Sequence, residues 1–118
     1  MSDYKEIIID HYKSPRNFGV LENPDLSTNE ANASCGDVIH MDVNMNGKII
    51  KEVRWQGVGC AISTAAASML SEKAVGMSKA DLLAFGEGGV VELLGGEVNP
   101  GRMKCATLAY RALVKILN

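Results

Sequence analysis

From Ile39 to Met45 every second residue is apolar (Ile39, Met41, Val43, Met45), with His40, Asp42 and Asn44 between them; after Gly57-Val58-Gly59 the alternation stops. A period of two puts one set of side chains on a buried face and the other toward water, which is the pattern of a half-covered strand. Asn46-Gly47 supplies a two-residue hairpin turn. The chain then returns over 48–56 with Ile49, Val53 and Trp55 on one face. A weaker strand before Cys35 completes an antiparallel meander of three strands.

Helical patterns flank this sheet. Asp3 with Glu6 resembles a capping box, and Tyr4, Ile7, Ile8 and His11 recur at helical spacing until Pro15. Residues 16–28, rich in Asn, Pro and Gly, read as a connecting loop. Cys60 to Leu70 is a helix of small side chains that allows close packing, ended by Gly76. Ser78 and Asp81 cap a short helix through Phe85, and glycines at 86, 88, 89, 95 and 96 punctuate the stretch beyond it. Asn99-Pro100-Gly101 introduces a last helix with Met103, Ala106, Tyr110, Leu113 and Leu117 as its apolar stripe. Strands first and helices afterwards predict an α+β fold, a three-stranded antiparallel sheet with helices packed mainly on one face. With 118 residues, 47% of them hydrophobic, the chain is expected to form one domain over 1–118 whose core needs no disulfide.

The net charge of −2 and the scattered Lys and Arg residues argue against a nucleic-acid partner. No apolar run reaches the length of a membrane span, and the charged start Met-Ser-Asp-Tyr-Lys-Glu is unlike a secretory leader, so a cytoplasmic location is expected. Thiols stay reduced there, and Cys35, Cys60 and Cys105 are read as thiols or ligands.

Each cysteine is placed by this reading at the start of an element: Cys35 at the bend before a strand, Cys60 at a glycine-flanked entry to a helix, and Cys105 in the first turn of the last helix. Helix amino termini stabilise thiolate over thiol, and thiolate is the form that binds metal or attacks sulfur. With Asp37 the three thiols make four donors, enough for tetrahedral zinc or for a small iron–sulfur cluster. Carboxylate matches iron–sulfide chemistry less well than thiolate, so a cluster held partly by Asp37 is more easily released. That suits a carrier.

Asp10-His11-Tyr12, Pro15-Arg16-Asn17, Gly19, Asn32, Cys35-Gly36-Asp37, Gly57-Val58-Gly59-Cys60-Ala61-Ile62-Ser63 and Cys105-Ala106 together resemble the iron–sulfur cluster assembly scaffolds. These are the IscU-type proteins, the amino-terminal domain of NifU and the SufU branch, and the likeness runs from Tyr4 to the last helix. The resemblance implies a labile [2Fe–2S] cluster on Cys35, Asp37, Cys60 and Cys105, with Zn2+ as another occupant of the same site. It also implies a cysteine desulfurase as sulfur donor, Cys105 and Cys35 as persulfide acceptors, and recipient apo iron–sulfur proteins. On this basis the chain is a scaffold or carrier rather than an enzyme, a monomer or weak homo-oligomer; the other reading is a zinc-dependent sulfur acceptor that stimulates the desulfurase.

Two departures bear on the branch. Lys104 stands where IscU-type scaffolds have a histidine; a charged lysine has no lone pair for a metal, but it can modulate Cys105 or pair with Asp37. Asn99-Pro100-Gly101-Arg102-Met103 replaces the Leu-Pro-Pro-Val-Lys segment read by a dedicated Hsp70 chaperone, which argues against that partner. The interval from Cys60 to Cys105 is also too short for the extra SufU loop. His11 and His40 are read as structural hydrogen-bonding residues and left out of the site.

Overall fold

Alternation in β2 (Asp37–Asn46) turns Ile39, Met41 and Val43 inward, where all three are buried. The structure, a computed structural model, describes residues 3–34 and 36–118, and side chains from Glu6 onward. The side chains of Asp3 and Tyr4, and Cys35 altogether, lie outside the described residues.

β2 is the middle strand of a sheet ordered β1-β2-β3, with β1 at Leu26–Asn32 and β3 at Ile49–Val58, all antiparallel. Two features differ from the sequence reading. The reversal is made by Gly47-Lys48, because Asn46 pairs with Ile49, and Gly47 takes the positive φ of 63° that such a turn requires. The register then shifts between Asn44↔Glu52 and Met45↔Ile50, so Lys51 is an extra residue in β3. This bulge reverses the phase of the strand. Ile50 rather than Ile49 therefore joins Val53 and Trp55 in the core, with Ile50 1% exposed and Ile49 39%. The connecting loop is also shorter than expected, since β1 starts at Leu26 and pairs it with Val43.

One face of the sheet is covered by helices. α2 (Ala61–Lys73) is buried along Ala65-Ala66-Ala67-Ser68-Met69-Leu70-Ser71 because it lies between the sheet and α1 (Asp3–Lys13). Its small side chains let α1 come close enough for His11 Nδ1 to reach Ser68 Oγ at 2.7 Å, while the Arg16 N–H donates to the same oxygen at 2.8 Å. α3 (Lys79–Leu93) starts with the expected capping box, Ser78 and Asp81 bonding each other's backbone N–H. It does not stop at Phe85. Gly86 kinks it at φ 65°, and helical turns resume through Gly88 and Gly89. Gly89 is needed there because a Cβ would sit 2.6 Å from the Phe85 ring.

The last helical segment is broken in three: a 3-10 turn at Pro100–Arg102, α4 (Met103–Ala106) and α5 (Leu108–Leu117). Ala106, Tyr110 and Leu113 of the anticipated stripe are buried, and Tyr110 donates to the Leu82 carbonyl at 2.9 Å, tying α5 to α3. α5 packs on β1 and β2 beside α2.

The segment after α1 straps the free edge of β3. Trp55 N–H donates to the Asn17 carbonyl, and Gly19 N–H to the Trp55 carbonyl. The indole N–H bonds the Arg16 carbonyl at 2.9 Å, and Phe18 meets the indole edge-on at 5.0 Å. On the outer face, Asp42 accepts from Ser27 Oγ and the Leu21 N–H, with His40 Nε2 2.8 Å away. Burial pushes the Asp42 carboxyl up, but these partners outweigh it and hold its pKa below the usual value. Among the described residues no helix is long and apolar enough to cross a membrane.

Candidate functional site

At the end of the sheet away from the hairpin, four inward-facing segments meet. β1 ends at Asn32 and β2 begins at Asp37, which are directly paired, so both side chains point to the helical side. The passage from β3 to α2 brings Cys60, and α4 brings Cys105. A donor atom from each of Asp37, Cys60 and Cys105 lies within 4.8 Å of the other two. Asp37 is 3% exposed and Cys105 fully buried, while Cys60 is partly exposed.

Gly59 makes this convergence possible. Its backbone runs so close to the carboxylate that an added Cβ would lie 2.9 Å from Asp37 Oδ1 and collide with Ser63 Oγ. The Cys60 N–H then donates to Asp37 Oδ1 at 3.3 Å. The other oxygen, Oδ2, is buried and has no hydrogen-bond partner among the described residues. A buried acceptor left in that state costs about 1–3 kcal/mol, and a cation held with the neighbouring sulfurs would remove this cost.

Cys60 is the N-cap of α2 in extended geometry. Burial pushes its thiol up, yet the Ser63 N–H, the Ser63 hydroxyl, the Ile62 N–H and the Cys105 thiol together hold its pKa below the usual value. The helix amino terminus therefore favours thiolate at Cys60. Cys105 differs from the sequence expectation. It belongs to α4, which Thr107 at φ −102°, ψ 6° separates from α5, so it does not occupy the first turn of the long helix. Its sulfur is instead approached by Asn32 Nδ2 at 3.8 Å.

Lys104 is exposed and its carbonyl accepts from Arg111; it makes no ion pair with Asp37. The histidines lie outside the cluster, His11 on Ser68 and His40 between Asn29 and Asp42. Cys35 lies outside the described residues. Ser63 and Asn32 were named by the sequence only as motif letters. The spacing of Ser63 three residues into a helix capped by cysteine is a signal for a donor to that sulfur; Asn32 carried none, because its approach to Cys105 is a tertiary contact.

Two thiols and a carboxylate with one unpartnered oxygen fit a zinc ion or the irons of a cluster by donor type. On one tetrahedral metal with bonds near 2.3 Å, sulfurs stand roughly 3.8 Å apart, so binding requires only a small contraction of the triangle. Fold and site thus define a class: α+β proteins with a thiol and carboxylate cluster, able by its donor set to hold a metal ion, where sheet and helices meet.

The particular family emerges from comparison. The NifU-like N-terminal domain family matches residues 3–118, and the chain belongs to it. It is 38% identical to the zinc-dependent sulfurtransferase SufU of Bacillus subtilis, covering 95% of this chain and 87% of the relative. The alignment of 129 positions is longer than this chain, so the relative carries residues that this one lacks. The chain is 32% identical to the iron–sulfur cluster assembly scaffold protein IscU of Escherichia coli K12, over 93% of this chain and 88% of that one. A crystal structure described as an iron–sulfur cluster assembly scaffold for the SUF system, from Fervidobacterium islandicum, superposes with a TM-score of 0.83 at 28% identity, covering 96% and 95% of the two chains. The α+β fold with its three-stranded antiparallel sheet is the fold of that family.

Proposed function

We propose that this chain accepts persulfide sulfur from a cysteine desulfurase, builds a labile [2Fe–2S] cluster at Cys35, Asp37, Cys60 and Cys105, and passes it to apo iron–sulfur proteins. The observation that supports this reading is the Asp37 carboxylate, which puts an oxygen in one triangle with the Cys60 and Cys105 sulfurs and whose buried Oδ2 has no hydrogen-bond partner among the described residues. The cluster is cargo, and a mixed sulfur and oxygen donor set suits cargo that must leave.

Sulfur delivery is thiol chemistry. An acceptor thiolate, Cys105 or Cys35, attacks the outer sulfur of the donor persulfide; the donor S–S bond breaks, its thiolate leaves, and the acceptor carries the persulfide with no net oxidation. Gly59 keeps a side chain off the Asp37 carboxylate, where a Cβ would lie 2.9 Å from Oδ1.

A second reading is favoured by the similarity to a zinc-dependent sulfurtransferase and by Lys104, which offers no lone pair. In it, zinc held by Cys35, Asp37, Cys60 and Cys105 keeps the thiols deprotonated, and the chain relays sulfur without building a cluster. Anaerobic incubation with ferrous iron, cysteine, desulfurase and a thiol reductant, which supplies the electrons that take persulfide sulfur to sulfide, separates the two. Visible cluster absorbance supports the scaffold; desulfurase turnover raised only by zinc-loaded protein, without absorbance, supports the relay. In the scaffold reading Asp37→Ala prolongs the life of the assembled cluster and slows its transfer, and transfer at wild-type speed removes the role given to the carboxylate.

A further inference from the structure

Asn32 is 4% exposed, although an asparagine at the end of an edge strand is ordinarily in water. Its backbone is fixed on both sides: it pairs with Asp37 across the sheet, and its carbonyl accepts from the Gly36 N–H at 3.0 Å. The side chain leaves this fixed backbone into a buried position, and its Nδ2 stands 3.8 Å from Cys105 Sγ.

We propose that Asn32 is a positioning residue for the site, its amide N–H held on the Cys105 sulfur so that it fixes that sulfur's orientation and tunes it as a metal ligand. The proposal rests on the reading that Cys105 ligates the bound metal or cluster. Thiol sulfur is a weak acceptor, whereas metal-bound sulfur carries more negative charge, so the contact strengthens when the site is loaded. An N–H pointed at a ligating sulfur lowers the energy of its lone pairs and withdraws charge from the metal; such hydrogen bonds set both affinity and potential at thiolate centres. One cross-strand pair thus supplies two things at once, a ligand from Asp37 and a donor to a ligand from Asn32.

The test uses Co2+ titrated anaerobically into metal-free protein, with Asn32→Ala, which removes the amide, and Asn32→Asp, which keeps its shape but offers no N–H. The thiolate-to-cobalt charge-transfer band of both variants is expected at lower energy than in the wild type. Affinity for Zn2+ against a chelator is expected to fall by about tenfold or more, furthest for Asn32→Asp, whose carboxylate faces a negative sulfur. Thermal unfolding of the metal-free proteins separates this from a packing role. A folded variant of either kind whose band and zinc affinity match the wild type overturns the proposal while leaving the metal site standing. A wild type that binds Co2+ without thiolate charge transfer overturns both.

Discussion

Gly59→Ala tests the most tightly built point of the site. Gly59 is not among the residues with positive φ, so alanine meets no backbone penalty and the change by itself would stabilise by roughly 0.4–1 kcal/mol through the unfolded chain. The space is missing, however. The new methyl would lie 2.9 Å from Asp37 Oδ1 and 3.2 Å from its Cγ, and inside contact distance of Ser63 Oγ. Neither neighbour can step aside freely: Ser63 donates to the Cys60 carbonyl at 3.0 Å, and Asp37 is buried and held by the Cys60 N–H. Overpacking of this kind costs about 1–3 kcal/mol, so a net loss of about 1–2 kcal/mol is expected. Urea unfolding of the metal-free protein measures it, and zinc competition is expected to show weakened binding because Asp37 Oδ2 is displaced. Adding Ser63→Ala removes the closest obstruction, so the double variant should recover part of the loss, a coupling that two independent sites would not show. Gly59→Ala as stable as the wild type and with equal zinc affinity refutes the reasoning.

The bulge at Lys51 predicts that Ile50→Ala costs about 2–5 kcal/mol as a core truncation, whereas Ile49→Ala costs well under that; equal effects in urea unfolding would mean that the strand keeps its phase. His11 predicts a pH dependence. Burial, and then the Arg16 charge, hold its pKa below the ordinary 6.5 against the opposing pull of Glu72 and Asp10. As pH falls from 6.5 toward the folded value, the unfolded chain takes up the proton first, so stability falls with it. His11→Gln should flatten that slope, and parallel slopes for the two proteins would refute the assignment.

The fold was legible where a pattern repeats. Ile39, Met41 and Val43 announced β2, and Ser78 with Asp81 announced the start of α3, because both signals are local. The bulge was not, since one residue out of phase in Ile49-Ile50-Lys51 becomes visible only against the partner strand. The glycine at 89 looked like part of a loop because its reason is the Phe85 ring packed on it. β1 was faint because Leu26 is its one large apolar residue. At the site, Cys60 and Asp37 could be read as occupying element ends, but the break at Thr107 that sets Cys105 apart from α5 has no Gly or Pro to announce it, and the approach of Asn32 is a contact across 73 residues of chain.

The strap of residues 17–19 along β3 has a consequence for the company this molecule keeps. An unpaired strand margin recruits other strands without discrimination, and here one margin is interrupted by the chain itself, by residues 17–19 at Trp55 and by residues 76–77 at Ile50. The opposite margin, β1, is made mostly of Ser, Thr, Asn and Glu, and Lys115 caps the Asn29 carbonyl. Self-association through sheet growth is thereby discouraged on both flanks, so a partly exposed sulfur such as that of Cys60 can stand at the end of the sheet without neighbouring molecules fusing into ribbons.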